Sequence, residues 1–208
     1  MLDWTALVRL SDSALARLDV VQMNATCALG LPGMTQVNGD GDAKIVDAMA
    51  ASCRRFTDHA MSLFHQGKCD YPDSQPKFRI QAMITHLQRD LHLVYHPDRR
   101  AEDSIFKPED SFLHGLLHGG GGTCGSMSVL YVAVGRRLGY PLLLVSAKCH
   151  LFCRWEGLEQ FNIEGAGQGI SFHPDEHYRN GTFAMPPETV KACGYLESLS
   201  PREEVAGF

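Results

Sequence analysis

The chain has 208 residues, 44% of them apolar and 21% charged, and a net charge of -5 with histidine neutral. That length suits one domain with its own core, and that composition excludes a disordered chain; no unbroken apolar run of about 18 residues is present to span a bilayer as a helix. The acidic balance, with no Lys/Arg run longer than the pairs that begin at Arg54, Arg99 and Arg136, argues against a phosphate-binding face, so neither nucleic acid nor membrane is an expected partner.

The N-terminal stretch MLDWTALVRLSD carries Asp3 and Arg9 where a secretory signal needs an uncharged segment, so a reducing cytosol is the expected compartment. Seven cysteines, at 27, 53, 69, 124, 149, 153 and 193, are odd in number and scattered, as buried thiols are and disulfide frameworks are not.

The first hundred residues read as helical. Leu15, Leu18, Val21 and Ala25 recur at helical spacing behind the capping candidates Ser11 and Ser13, and Gly30 to Gly33 stops that helix. A second helix is expected from about Asp42 to Gln66, with Ile45, Met49, Phe56, Leu63 and Phe64 inward. QPKFRIQAMITHLQRDLHLVYHP reads as a third, with Met83, Leu87 and Leu91 inward and Pro97 beyond its end. Between the first two, Asn38, Asp40 and Asp42 alternate like the opening of a calcium loop. Ala43 stands where that loop needs glycine and Met49 where it needs glutamate, so a turn and helix cap are expected instead.

Near Asp110 the character changes. SVLYVAVGRRLG predicts an apolar helix ending at Gly139, and YPLLLVSA, HLFCRW and QFNIE predict three short strands. The fold class is therefore α+β in a single domain of residues 1–208: a helical layer over 1–109, a core over 110–170 in which a helix packs on a small antiparallel sheet, and a tail over 171–208. In that tail ISFHPDEHYRNG reads as a solvated loop, with folding over a cleft as its alternative. Ser200-Pro201-Arg202-Glu203-Glu204 starts a helix that Phe208 leaves short, as a truncated longer chain would.

Four glycines, Gly119 to Gly122, run into Thr123 and Cys124 at the start of the apolar helix. Gly120, Gly122 and Gly125 match a dinucleotide fingerprint formally, but the acid expected about 20 residues on is absent, and no Lys-Ser/Thr follows to make a P-loop. The use that remains is presentation of Cys124 at a helix N-terminus, where unpaired N–H groups and the dipole favour thiolate. The dipole, at about 0.3–1 kcal/mol, is too small alone, whereas an imidazolium at ~4 Å contributes roughly 4 kcal/mol at an effective dielectric of about 20. The cysteine therefore needs a histidine. His150 opens the strand HLFCRW beyond one helix and one strand, where a sheet packed on the Cys124 helix brings the two together. His114 and His118 lie on the preceding turn and, with Gly122 and Thr123, are expected to line the cleft. An imidazole base needs an orienting acceptor, and Ser111 to Trp155 holds no Asp or Glu. Asn162 and Glu164 on the next strand share a face, and a carboxylate also stabilises imidazolium, which favours Glu164.

These residues carry a resemblance. Cys124 after GGT, LYVAVGRRLGYP, the strand opening H-L-F and F-N-I-E-G before a glycine-rich turn resemble the transglutaminase-like superfamily of papain-type cysteine enzymes, in particular its bacterial SirB-like branch. The resemblance implies Cys124 as nucleophile, His150 as base and Glu164 where the family usually has aspartate, a departure that leaves Asn162 as the alternative acceptor. It implies acyl transfer on a peptide or protein amide, with an oxyanion held by N–H groups at Cys124 or Gly125 and no cofactor. The alternative is a non-catalytic peptide- or protein-binding module with the same fold. A zinc site drawn from His114, His118, Cys149 or Cys153 is the third reading, weakened by the absence of a Glu between the histidines or a C-x-x-C. Cys149 and Cys153, on the strand face opposite His150, are expected to pack.

Overall fold

A computed structural model describes residues 3–34, 36–96, 98, 107–165, 167, 169–182 and 184–208. The helical layer begins with α1 (Trp4–Leu7), α2 (Asp12–Leu15) and α3 (Val20–Ala28). The first expected helix is thus two helices. The Asp19 carboxylate accepts from the Val21 N–H at 2.9 Å in extended backbone, which restarts the helix as an N-cap does. Its apolar stripe is still used, with Leu15, Val21 and Ala25 buried.

The long helix α4 (Gly39–His65) starts on Asn38, whose side chain accepts from Gly41, in agreement with the turn and cap expected there. Its buried face is Asp42, Val46, Ala50, Cys53 and Thr57, one position along from the predicted stripe. Small side chains on that face let neighbouring helices approach, while Ile45, Met49 and Phe56 flank it half-buried and Leu63 stands exposed. Helix α5 (Gln75–Thr85), capped by Ser74, gives way to a π-helical turn over His86–Asp90 instead of continuing. Met83 and Leu87 are buried as expected and Leu91 is half-buried; Pro97 lies outside the described residues.

Two short helices, α6 (Pro108–Ser111) and α7 (Leu113–Gly115), lead through a π-helical turn over Leu116–Gly120 into α8 (Cys124–Arg137). Three strands follow as predicted: β1 (Leu142–Ala147), β2 (His150–Glu156) and β3 (Gln160–Ile163), antiparallel in the order β1-β2-β3. Leu144 pairs with Cys153 and Arg154 with Asn162. The chain ends in α9 (Asp175–Arg179), α10 (Pro187–Cys193) and α11 (Pro201–Gly207), the last capped by Ser200.

Helix α8 is the centre of the molecule. Met127 to Gly135 are buried without a polar face, as a helix must be when it is covered on all sides, here by α3 and α4 on one flank and by β1 and β2 on the other. One apolar cluster runs from Leu7 to Val205, so residues on both sides of Asp110 share a core. Among the described residues no helix is long and apolar enough to cross a membrane.

Candidate active site

The glycine run positions a sulfur. Gly119 and Gly121 have φ of +96° and +72°, values that glycine adopts without strain. Gly122 is pinned to the preceding chain by two backbone hydrogen bonds, its N–H to Val94 and its carbonyl from His96, and a Cβ on it would stand 2.6 Å from Met127. The run therefore brings the backbone tightly against α8 and releases it at Thr123. The Thr123 N–H donates to the Ser126 hydroxyl, and both hydroxyls donate to the Asp110 carbonyl, at 3.0 and 2.8 Å. Cys124 thus begins α8 on a locked first turn, where the leading N–H groups have no intrahelical acceptor.

His150 arrives by a different device. Ala147 pairs with His150, so Lys148 and Cys149 alone make the β1–β2 turn, Cys149 with φ of +57°. Ser128 of α8 donates to the Leu151 carbonyl and Cys153 to the Ser128 carbonyl, which fixes the start of β2 against the start of α8. The His150 ring and the Leu151 N–H thereby come to bear on the Cys124 sulfur, and both favour its thiolate.

Glu164 completes the set, its Oε2 standing 2.6 Å from His150 Nε2. The glutamate lies just past β3, where its backbone exchanges two hydrogen bonds with Ser171. The next residue is Gly165, whose carbonyl accepts from the Tyr131 hydroxyl of α8 at 2.9 Å and from Gln88 at 3.0 Å. A Cβ on Gly165 would stand 2.5 Å from the Tyr131 ring, so this glycine permits the close approach that holds the Glu164 loop to α8. The longer side chain of glutamate still reaches the imidazole.

The electrostatics follow from these contacts. Burial pushes the Cys124 thiol up, but hydrogen bonding and charge from His150, with the Leu151 N–H, outweigh it and leave the thiol below its ordinary value of 9.0. Burial pushes His150 down, yet its hydrogen bonds to Cys124 and Glu164 and their charges raise it from 6.5 to about 10. The two shifts act in the same direction, toward a thiolate–imidazolium pair. Two thiols of the helical layer shift the opposite way: burial raises Cys27 to about 11 and Cys53 to about 12.

A profile of the transglutaminase-like superfamily matches residues 43–205. The chain belongs to that superfamily. The match covers the glycine run, Cys124, His150 and Glu164, as well as most of α4, all of α9 and α10, and α11 as far as residue 205. No curated protein and no solved structure gives a match.

The superfamily frame makes the remaining placements informative. Cys124, His150, Thr123 and Gly125 line a cleft of about 550 Å³, together with Val129, Leu151, Cys149 and, from the chain's end, Leu199, Glu203 and Phe208. Of the four residues expected to line it, Thr123 does so. Gly122 packs against Met127, and His114 and His118 turn away to Asp42, each at 3.0 Å. Asn162 faces away from His150: its amide oxygen accepts from Arg154 and its amide nitrogen donates to Asp175. The register explains this, because Asn162 is opposite Arg154, four residues or about 13 Å along β2 from His150. Cys149 is in the exposed hairpin turn rather than on the packed strand face, while Cys153 is buried as expected. The segment after Ser171 is structured: Tyr178 of α9 is buried and stacks on Phe152 at 3.9 Å, and a small cavity of about 200 Å³ beside His150 and Glu164 is lined by His177 and Tyr178. A signal for the Leu151 N–H and Tyr131 contacts is absent from the sequence pattern, since one is backbone and the other a long-range approach through a glycine.

Proposed function

We propose that this protein is a cysteine-dependent acyl-transfer enzyme. The observation that carries the reading is the single imidazole of His150 set between the Cys124 thiol and the Glu164 carboxylate at the end of an open cleft. In the reaction so assigned, the Cys124 thiolate attacks the carbonyl carbon of an amide, and the oxygen takes up the electron pair. An N–H group of Cys124 or Gly125, in the first turn of α8, would hold that oxyanion. His150 gives its proton to the leaving amine, which departs with the C–N bonding pair and leaves a thioester on Cys124. His150, now neutral, takes a proton from water or from an acceptor amine as that nucleophile bonds to the thioester carbonyl carbon; the C–S bond then breaks, its electron pair returns to Cys124 as thiolate, and water gives a hydrolase where an amine gives a transferase.

The apolar walls Val129, Leu151, Leu199 and Phe208 suit the side chain of a peptide or protein amide. The reading needs no cofactor, and a reducing, cytoplasmic compartment would keep the thiol free. The motifs around Cys124 and Glu164 support placement in the SirB-like branch of the superfamily.

The test is acylation by an activated ester such as p-nitrophenyl acetate. Wild-type protein should release a burst of about one equivalent of nitrophenol and carry the acetyl group on Cys124 by peptide mass mapping. His150→Ala should abolish the burst. A protein that only binds through the cleft gives no burst and no acylated Cys124, and that result would overturn the proposal.

A further inference from the structure

Asp42, His114 and His118 form a second cluster on the other side of the glycine run. His114 Nδ1 and His118 Nε2 each stand 3.0 Å from a different oxygen of the one Asp42 carboxylate. One ligand-type atom from each of the three residues lies within 4.8 Å of the others. We propose that these three residues form a site for a divalent transition-metal ion of the zinc type, separate from the Cys124 cleft and independent of its chemistry.

Four observations lead there. The donor set is two imidazoles and one carboxylate, which suits zinc and its first-row neighbours and does not suit calcium or magnesium, which take oxygen ligands. A zinc ion with ligands about 2.0–2.2 Å away sets ligand atoms roughly 3–3.5 Å apart, close to the imidazole-to-carboxylate spacing here, so an ion can replace the shared protons with small ring movements. The backbone is shaped for it: the π-helical turn Leu116–Gly120 departs from helical geometry at His118 (φ -104°, ψ 24°) and reverses at Gly119, turning His118 over toward α4. Finally, Asp42 is 2% exposed in its side chain, whereas His118 is 50% exposed, which gives a fixed anionic anchor with a route in from solvent and room for water in the remaining coordination positions.

The consequence is mechanical. Asp42 is in the first turn of α4, and the two histidines sit on the segment that leads through the glycines to Cys124. An ion bound there clamps the helical layer to that segment.

The experiment uses the full chain in a Cys124→Ser background, stripped of metal and titrated with Co²⁺ while the visible spectrum and the unfolding temperature are followed. The expected result is uptake of about one equivalent, bands of nitrogen and oxygen ligation without thiolate charge transfer, and a higher unfolding temperature. His118→Ala, a change at a half-exposed side chain, should weaken uptake by more than roughly 10-fold, and His114→Ala should do the same. No uptake by the parent protein, thiolate charge transfer from one of the remaining cysteines, or an affinity unchanged from the parent in either histidine variant would overturn the proposal.

Discussion

At the scale of single residues, His150 decides how Cys124 behaves. Burial alone would drive its imidazolium out, and the bonds to Cys124 and Glu164 reverse that, holding the proton up to about pH 10. Because this pKa is raised above the value of 6.5, the pairing stabilises the fold fully below about pH 6.5 and that share is lost as pH rises toward about 10. An NMR titration of the ring should therefore find imidazolium still present at pH 8, and Glu164→Gln should move its midpoint down, since the carboxylate that stabilises the cation is gone. An unmoved midpoint would remove Glu164 from the orienting role. Asn162 belongs to a different interaction. Arg154 is 7% exposed and uses Asn162 as an acceptor beside Asp175. Asn162→Ala should cost about 1–3 kcal/mol in urea unfolding while leaving the pH profile of Cys124 unchanged, because it leaves one buried N–H of Arg154 without its acceptor and touches neither member of the pair.

At the scale of elements, α8 carries the sulfur and must be held at both ends. Its first turn is fixed by Thr123 and Ser126 on the Asp110 carbonyl; its last turn is held by two arginines. Arg136 bonds Glu204 of α11 at 2.5 and 3.2 Å, and Glu204 is 1% exposed. Arg137 bonds Asp19 and Asp47, reaching both the α3 cap and α4. Removing one partner of a buried pair leaves a charge without compensation, so Arg136→Met should destabilise by about 3–5 kcal/mol in chemical unfolding. Mid-helix, Gly135 lets β1 close on α8: an added Cβ would stand 2.3 Å from Leu142 Cδ1. Gly135→Ala should raise helix propensity and still lower stability, by about 1–3 kcal/mol, because overpacking dominates at that contact. Much at this scale was legible beforehand. The three strands, the helix that starts at Cys124 and the place of His150 at the head of β2 all rest on local alternation and turn residues, which a sequence states directly. The choice between Asn162 and Glu164 does not: both share a face, and only the pairing of Arg154 with Asn162 separates their reach along β2. The left-handed φ of Cys149, which takes it off the strand and into the cleft wall, likewise depends on where a two-residue turn falls.

At the scale of the whole molecule, the helical layer and the sheet bury one continuous core around α8, with Leu7 and Val205 in the same cluster. Unfolding should accordingly be one cooperative step: tryptophan fluorescence of a Trp4→Phe variant, which then senses Trp155 on β2 alone, and far-ultraviolet circular dichroism, dominated by the helices, should give coincident transitions in urea. Separated transitions would mean that the helical layer is a unit of its own. What the sequence left hidden at this scale is contact across long separations. Asp42 read as a helix cap and His114 and His118 as cleft residues, yet the packing of α4 on the segment before α8 joins the three across more than seventy positions. The central claim is that fold and site together make Cys124 an activated nucleophile. The measurement that tests it most directly is the pH dependence of iodoacetamide labelling, read site by site by mass spectrometry so that the exposed Cys193, outside the cleft, serves as an internal reference. Cys124 should label with an apparent pKa below the ordinary thiol value of 9.0 in the wild type and above it in His150→Ala, where burial outweighs the Leu151 N–H that remains. Labelling of Cys124 that follows Cys193 in both proteins, or that ignores His150→Ala, would contradict the account.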